Sequence, residues 1–378
     1  MESIKEIFRI GNGPSSSHTM GPKKAAEIFY GKNIDSEKFI VTLYGSLAAT
    51  GKGHLTDVAI ESVFGKDKTE IIWKANEFLP SHPNGMKFEA IKKQTIVNYE
   101  TIYSVGGGKI TDFKDTNIEY HPYKLNSMKE ILEWIKQNSN SFWEYVEYSE
   151  GKEIYIYLKN VWSKMKKSVI NGLDNEGTLP GGLNVKRKAG SYYVKAKNYT
   201  GSLKEKTLLF SYALAVAEEN AGGGEIVTAP TCGSCGVLPA VLFRMQESFD
   251  FSDEKILRAL ATAGLIGNLV KTNASISGAE VGCQGEIGTA CAMAGAAVTQ
   301  LLGGTPYQIE YAAEMGMEHH LGLTCDPING LVQVPCIERN AFAAERAFNT
   351  ATFSLLSDGR HIVSFDKKNT ASKYLVSS

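Results

Sequence analysis

The first 150 residues mix strand-like and helix-like hydrophobic patterns. Two runs of β-branched and aromatic residues, 39–44 and 101–105, predict strands, and three glycines close the second run. Between these runs, residues 56–64 place apolar side chains at helical intervals. Strands and helices that follow one another in this way are typical of layered structures. The pattern therefore predicts an α/β domain over residues 1–150.

After residue 150 the apolar positions recur mostly at helical spacing. Residues 206–220 show this spacing and end at the glycines 222–224, which stop a helix. Ser252 precedes two acidic residues and Thr305 precedes a proline, and both arrangements are typical of helix starts. We therefore predict a mostly α-helical domain over residues 151–378. The fold class predicted for the whole chain is α+β.

Residues 288–303 are rich in alanine, glycine and threonine. The segment is shorter than the roughly 20 apolar residues that span a bilayer, and Gln300 stands near its end. Small side chains also let neighbouring elements approach closely. We predict a buried core helix here and expect no membrane association.

The amino-acid composition limits the kinds of molecule that the protein is expected to bind. The 378 residues include 40 Lys and Arg against 41 Asp and Glu, which gives a formal net charge of −1. Proteins that bind nucleic acid or anionic membranes usually carry a basic excess, so we expect neither partner. The fractions of hydrophobic (43%) and charged (21%) residues are those of a globular protein. Residues 1–6 lack an apolar run, so we expect no secretory leader and a cytoplasmic location.

All six cysteines lie in the C-terminal half of the chain. Three of them share a local context. Cys283, Cys325 and Cys336 each lie close to glycine or proline, as expected for loops beside helices. Their separations do not match the tight spacing of a zinc finger or a ferredoxin. Loops that converge from separate elements could bring them to one iron–sulfur cluster, whose remaining iron would then lack a protein ligand. Three unrelated buried thiols explain the same spacing, and both interpretations stay open.

The other three cysteines have different settings. Cys232 and Cys235 form a C-x-x-C motif on a predicted strand-to-helix turn. This motif is either a redox pair, half of a metal site, or a turn of small residues that carries thiols. Cys291 lies inside the small-residue helix, where core packing is the expected role.

Three polar loops in the first half each offer a histidine, namely His18, His54 and His82. Residues 13–19 supply hydroxyl groups and backbone N–H groups ahead of a predicted helix, which suits a carboxylate. Residues 51–57 have similar composition, and residues 81–85 have turn chemistry. Any one of these loops could be only a capped turn. The three together favour an active site.

These segments resemble a known family. Gly-Pro-Ser-Ser-Ser-His-Thr at 13–19, Gly-Ser-Leu-Ala-Ala-Thr-Gly-Lys-Gly-His at 45–54 and Asn-Ala-Ser-Ile-Ser-Gly-Ala-Glu at 273–280 are similar to motifs of the iron–sulfur-dependent L-serine dehydratases in their single-chain form. The cysteine contexts at 283, 325 and 336 match as well. The resemblance runs from about residue 4 to about residue 366. It implies an N-terminal α/β domain, a helical catalytic domain, L-serine as substrate and an oxygen-sensitive cytoplasmic homodimer.

The resemblance also implies roles for particular residues. Cys283, Cys325 and Cys336 would hold a [4Fe-4S] cluster. The remaining roles follow the chemistry of removing a Cα proton and a β-hydroxyl group. We expect the substrate carboxylate at Ser16, Ser17 and Thr19, and a base or orienting group among His18, His54 and His82. Asn273 and Ser275 are expected near the cluster, with Lys271 as a further candidate.

The end of the chain departs from the family pattern. Family members usually continue past the segment that matches residues 363–366 with a further helix, whereas residues 367–378 are expected to form a polar tail. Some members also carry a tail cysteine that caps the cluster. No cysteine follows Cys336, so we expect no such cap.

Three alternative functions fit some of the same sequence features. A cluster-dependent hydro-lyase could act on threonine or a small hydroxy acid instead of L-serine. A pyridoxal-phosphate dehydratase would form the same products, but the glycines 222–224 lack a matching lysine motif. A cluster-bearing sensor without lyase activity would keep the cysteines and use the first half of the chain for binding.

Overall fold

The computed structural model describes residues 1–112 and 120–374. The strands of this part of the chain are β1 (Ile10–Asn12), β2 (Lys38–Tyr44), β3 (Thr69–Lys74), β4 (Gly85–Lys92), β5 (Thr95–Ser104), β6 (Ile110–Thr111) and β7 (Glu225–Val227). The first helices are α1 (Gly21–Lys32), α2 (Gly45–Thr50), α3 (Thr56–Phe64), α4 (Met128–Asn138), α5 (Phe142–Glu150), α6 (Ile154–Asp174), α7 (Ala189–Ala196) and α8 (Gly201–Ala221). The later helices are α9 (Val237–Phe249), α10 (Asp253–Asn273), α11 (Gly278–Val281), α12 (Thr289–Leu301), α13 (Pro306–Glu318), α14 (Cys336–Leu355) and α15 (Phe365–Tyr374).

A five-stranded sheet forms the N-terminal layer. Its strand order is β3-β2-β4-β5-β6, with β2 and β3 parallel and the other pairs antiparallel. Helices α1 and α3 pack against one face, where Phe39 of β2 stacks on Phe64 of α3 with ring centroids 4.2 Å apart. The strand predicted at 39–44 is β2, and the helix predicted at 56–64 is α3. The α/β prediction for this part of the chain is confirmed.

A larger helical body follows the sheet. Helix α12 is buried between α10, α13 and α14, as its small side chains predict. A Cβ on Gly316 of α13 would lie 2.8 Å from the backbone of Ala292, so only glycine permits this approach. The helix starts predicted after Ser252 and Thr305 are present, and both side chains cap their helices. The α+β fold class is confirmed, and no helix of the described residues is both long and apolar enough to cross a membrane.

The two hydrophobic cores interleave along the sequence. The sheet core contains residues from Ala25 to Ile102. The helical core begins earlier, with Met1, Ile4, Ile7, Phe8 and Met20, and resumes at Tyr123. The N-terminal segment therefore belongs to the helical body in space. The division of the chain into domains at residues 1–150 and 151–378 stays a prediction.

A two-stranded ribbon joins the two halves of the chain. Strand β1 pairs antiparallel with β7, so that Ile10 lies opposite Val227. Just beyond β1, the Gly13 amide donates a hydrogen bond to the Gly224 carbonyl (3.1 Å). A Cβ on Gly13 would lie 2.2 Å from the Asn220 carbonyl oxygen, so glycine is required there. Because the pairing is antiparallel, the ribbon brings the loop after β1 against the end of α8 and the glycines that precede β7.

A polar tail was expected from residue 367 onward, but the described residues of this segment belong to a packed helix. Residues Phe365–Tyr374 form helix α15, and Phe365, Asn369 and Ser372 of this helix are buried. Asn369 donates a hydrogen bond to the Leu269 carbonyl (3.0 Å). The expectation was wrong because Asn369 and Ser372 donate side-chain hydrogen bonds to backbone carbonyls, which makes a polar segment compatible with packing.

Candidate active site

A cavity of about 380 Å³ opens where the loops of the sheet layer meet the helical body. This volume is in the range of small-molecule sites. Of the residues predicted from sequence, the cavity is lined by Ser16, Ser17, His18, His54, Lys271, Ser275, Cys325 and Cys336. The structure therefore brings two of the three histidine loops and two of the three candidate cysteines to one place.

His18 is held by hydroxyl groups on both sides. It lies in a single π-helical turn, Ser16–Met20, which Ser15 caps by accepting a hydrogen bond from the His18 amide. Its Nδ1 is 2.9 Å from Ser17 Oγ, and its Nε2 is 2.9 Å from Ser46 Oγ. Burial, together with the neighbouring His54, lowers the pKa of His18 to about 3. The ring is therefore neutral at pH 7.

His54 lies beside His18, with ring centroids 4.8 Å apart. Its Nδ1 is 3.0 Å from the Thr50 carbonyl oxygen. Because a carbonyl oxygen only accepts hydrogen bonds, Nδ1 carries the hydrogen and the neutral ring keeps its lone pair on Nε2. Burial lowers the pKa of His54 below its usual value, and hydrogen bonds to the carbonyls of Thr50 and Gly330 oppose this shift. His54 can therefore accept a proton at Nε2.

Two reciprocal hydrogen bonds join the histidine loops. Thr19 Oγ1 donates to the His54 carbonyl (2.7 Å), and Thr56 Oγ1 donates to the His18 carbonyl (2.5 Å). Thr19 is buried and is not among the residues that line the cavity. Its hydroxyl group therefore fixes the position of His54, and the predicted contact of Thr19 with a substrate carboxylate is not supported.

His82 and Asn273 are also absent from the described lining of the cavity. His82 Nδ1 accepts a hydrogen bond from the Asn84 amide (3.1 Å) in the turn before β4. Burial lowers the pKa of His82, and the nearby Glu280 opposes this shift. The Asn273 side chain donates to the carbonyls of Asn126 (2.7 Å) and Leu269 (3.1 Å) at the end of α10. Both side chains thus have structural contacts outside the cavity.

The three candidate cluster cysteines come from separate elements. Cys283 precedes a π-helical turn at Gln284–Gly288, Cys325 lies in the loop after α13, and Cys336 begins α14. Burial raises the pKa of the Cys283 thiol to about 12. Burial, Glu286 and the other two thiols raise the pKa of Cys336, so the three thiols lie within electrostatic reach of one another. In the described part of the chain, no three His, Cys, Asp or Glu side chains are placed to hold a single metal ion.

Several polar residues of the cavity were not predicted. Glu286, in the turn after Cys283, accepts a hydrogen bond from Thr231, and burial raises its pKa. Lys109, which was not predicted, and Lys271, which was, also line the cavity, and both form ion pairs with Glu2, which lies outside the lining. The sequence holds only one indication of Glu286, its position three residues after a candidate ligand. Nothing local indicates Glu2, because its partners are remote in sequence.

The C-x-x-C motif has no features of a redox pair. Cys232 and Cys235 are both buried and unpaired, and burial raises the pKa of Cys232 to about 12. A reactive thiol needs the opposite, namely exposure and a lowered pKa. The Cys232 amide instead donates a hydrogen bond to Ser16 Oγ (3.0 Å) at the cavity wall. Cys291 is fully buried in α12, and the prediction of a core role is confirmed.

Comparisons with known proteins agree with this geometry. The model of the serine dehydratase β chain matches residues 3–65 and 61–115, and that of the serine dehydratase α chain matches residues 99–375. An L-serine dehydratase of Haemophilus influenzae is 40% identical over 97% of this chain and 93% of its own length. An L-serine dehydratase of Streptomyces coelicolor is 39% identical over 97% of this chain and 92% of its own. The chain belongs to the serine dehydratase family and is a lyase.

Proposed function

We propose that this protein dehydrates L-serine to pyruvate and ammonia at the cavity between the histidine loops and the cysteine segments. The observation that carries the proposal is the convergence of His18, His54, Cys325 and Cys336 on one cavity. The relatives in Haemophilus influenzae and Streptomyces coelicolor are named L-serine dehydratases, which supports L-serine as the substrate.

The cofactor of the proposed reaction is a [4Fe-4S] cluster on Cys283, Cys325 and Cys336. Each thiolate of such a cluster binds a different iron, so three thiols from separate elements fit it although no single-ion site is found among the described residues. When bound, a cluster with one iron free of protein ligands supplies a Lewis acid for the departing hydroxyl group. The neutral, buried thiols must lose their protons on binding.

The hydroxyl groups of the loop after β1 bind the substrate carboxylate. Ser16 Oγ accepts a hydrogen bond from the Cys232 amide, which leaves its hydrogen free to donate to the substrate. Ser17 lies next to it in the cavity wall. A carboxylate here also lies at the N-terminal end of the π-helical turn that leads into α1, where backbone N–H groups favour negative charge.

His54 is the proposed base. Its Nε2 has the lone pair in the neutral ring, and its lowered pKa keeps it neutral at pH 7. It takes the Cα proton of the substrate, while His18 packs against its ring. After loss of the β-hydroxyl group, the enamine product tautomerises and hydrolyses to pyruvate and ammonia. The predicted homodimer and cytoplasmic location follow from the family resemblance and the composition.

Anaerobic purification with iron and sulfide analysis, combined with a pyruvate assay, tests the proposal. We expect about four irons and four sulfides per chain and pyruvate formation from L-serine. The visible spectrum should show a broad cluster absorption and no pyridoxal-phosphate band. Assays with L-threonine and small hydroxy acids measure the substrate preference. Cluster-loaded protein that produces no pyruvate from L-serine would contradict the proposal and favour a sensor.

A further inference from the structure

We propose that Glu286 binds the α-ammonium group of the amino-acid substrate. The inference rests on the proposed function and adds a residue that recognises the amino group. The carboxylate and the leaving hydroxyl group of L-serine have partners in the proposal above, whereas its cationic amino group does not.

Glu286 lies in the wall of the cavity, in the π-helical turn after Cys283. Its Oε2 packs between two glycines: a Cβ on Gly233 would lie 3.1 Å from it, and a Cβ on Gly278 would lie 2.9 Å from it. Its hydrogen-bond partner is Thr231. Because both glycines lack side chains, the carboxylate group remains open to the cavity.

The charges around the cavity leave Glu286 without a cation. Among the described residues, no Lys, Arg or His side chain lies within ion-pair distance of Glu286. The other acidic groups of the lining have partners: Glu6 pairs with Arg9, and Glu280 accepts a hydrogen bond from Ser275 (2.5 Å). A carboxylate in such a setting is stabilised by a cationic ligand that brings its charge into the cavity.

Glu286 is also close to the proposed carboxylate site. Its partner Thr231 directly precedes Cys232, and the Cys232 amide donates to Ser16 Oγ (3.0 Å). The ammonium and carboxylate groups of an α-amino acid are attached to the same carbon, so their receptors must be neighbours. The segment Thr231–Cys232 joins Glu286 and Ser16 in this way.

The binding of two ligands to two proteins isolates the contribution of the ammonium contact to affinity. L-alanine and L-lactate have the same shape, but L-lactate carries a hydroxyl group where L-alanine carries the ammonium group. In the iron-loaded wild type we expect L-alanine to bind more tightly than L-lactate. In Glu286→Gln we expect L-alanine to bind about 30-fold more weakly, because a buried charge pair is lost. The affinity for L-lactate should stay within about threefold, and the KM for L-serine should rise in parallel with the loss of L-alanine affinity.

Glu314→Gln is the matched control. Glu314 is also a buried carboxylate, with its pKa raised to about 7 by burial, but it lies on α13 outside the lining of the cavity. This variant should preserve the preference for L-alanine. Equal binding of L-alanine and L-lactate to the wild type, or unchanged L-alanine binding to Glu286→Gln, would overturn the inference.

Two further outcomes assign Glu286 another role. A loss of kcat with unchanged L-alanine affinity would make it a proton-transfer group, and a loss of iron would make it a determinant of cofactor binding. Both contradict ammonium recognition. Failure of the wild type to form pyruvate from L-serine is a separate result, which would overturn the proposed function.

Discussion

The cavity has a histidine wall, formed by the loops that carry His18 and His54, and a cysteine wall, formed by Cys325 and Cys336. The two walls differ in how completely hydrogen bonds within the protein satisfy their polar groups. On the histidine wall, both ring nitrogens of His18 face hydroxyl groups, and threonine hydroxyls tie the backbones of His18 and His54 together. On the cysteine wall, burial raises the pKa values of Cys325 and Cys336 and leaves both as neutral thiols. The histidine wall is therefore complete within the protein. The cysteine wall gains its strongest interactions only when a metal group binds.

The two walls should respond to different perturbations. Hydrogen bonds between side chains and backbone preorganise the histidine wall, whose geometry does not depend on metal. Metal binding requires thiolates, so occupancy of the cysteine wall depends on proton release. Variants of the two walls should therefore separate loss of catalysis from loss of iron.

The largest effect is expected from Cys336→Ser. A serine hydroxyl is a poor ligand for iron, so we expect both the iron content and pyruvate formation to fall by at least about 100-fold. Anaerobic iron analysis and a coupled pyruvate assay measure the two losses. Cys291→Ala is the control, because Cys291 is buried in α12 away from the cavity. Full iron content in Cys336→Ser would exclude Cys336 as a ligand.

His54→Ala should lower kcat by about 10²–10⁴-fold, the usual contribution of a positioned general base. Its iron content should match that of the wild type, because the histidine wall does not ligate the cluster. The exposed His319, outside the cavity, provides the control variant His319→Ala. If His54→Ala keeps its activity, another group is the base; if it loses iron, the two walls are not independent.

The pH dependence of kcat/KM gives a smaller, graded effect. His54 must be neutral to accept a proton, and burial lowers its pKa below the usual 6.5. Activity should therefore be constant as the pH falls to 6.5 and decline about tenfold per pH unit below the lowered pKa. Iron content measured at each pH separates this decline from cluster loss. An acid limb centred above pH 6.5 would show that His54 is not the titrating base.

The smallest effect is expected from a change next to the ribbon that joins the two halves of the chain. Gly13→Ala would place a Cβ 2.2 Å from the Asn220 carbonyl oxygen, so the loop after β1 must shift. We expect a loss of about 1–3 kcal/mol in the free energy of unfolding and a modest loss of activity. Gly31→Ala is the control: no atom lies within 4 Å of its added Cβ, and alanine should stabilise α1 by about 0.5–1 kcal/mol. Similar unfolding temperatures for both variants would contradict the role of the close approach.

Local patterns predicted the elements that local interactions determine. The helix at 56–64 and the capped start at Thr305 follow from periodicity and side-chain hydrogen bonds within a few residues. The histidine loops at 13–19 and 51–57 were recognised by their hydroxyl and glycine content. Their meeting in one cavity agrees with the expectation that several such loops form one site.

Features that depend on contacts between residues far apart in the sequence could not be predicted from local patterns. Strand β1 is three residues long and pairs with β7, so neither periodicity nor spacing indicates the ribbon. Helix α15 buries Asn369, whose polar side chain suggests a surface position until its hydrogen bond to Leu269 is known. Glu286 acquires its character from the fold around it, including Gly233 and Thr231.

The pairing of β1 with β7 also sets a time order during protein synthesis. Strand β7 is made about 200 residues after β1, which at about 5–20 residues per second is a delay of roughly 10–40 s. Until then the apolar side chains of Ile4, Ile7 and Phe8 lack the helical core in which they are buried in the finished protein. Cys336 is made later still. Cluster insertion must therefore wait until nearly the whole chain has been translated, and early segments need protection from aggregation in the meantime.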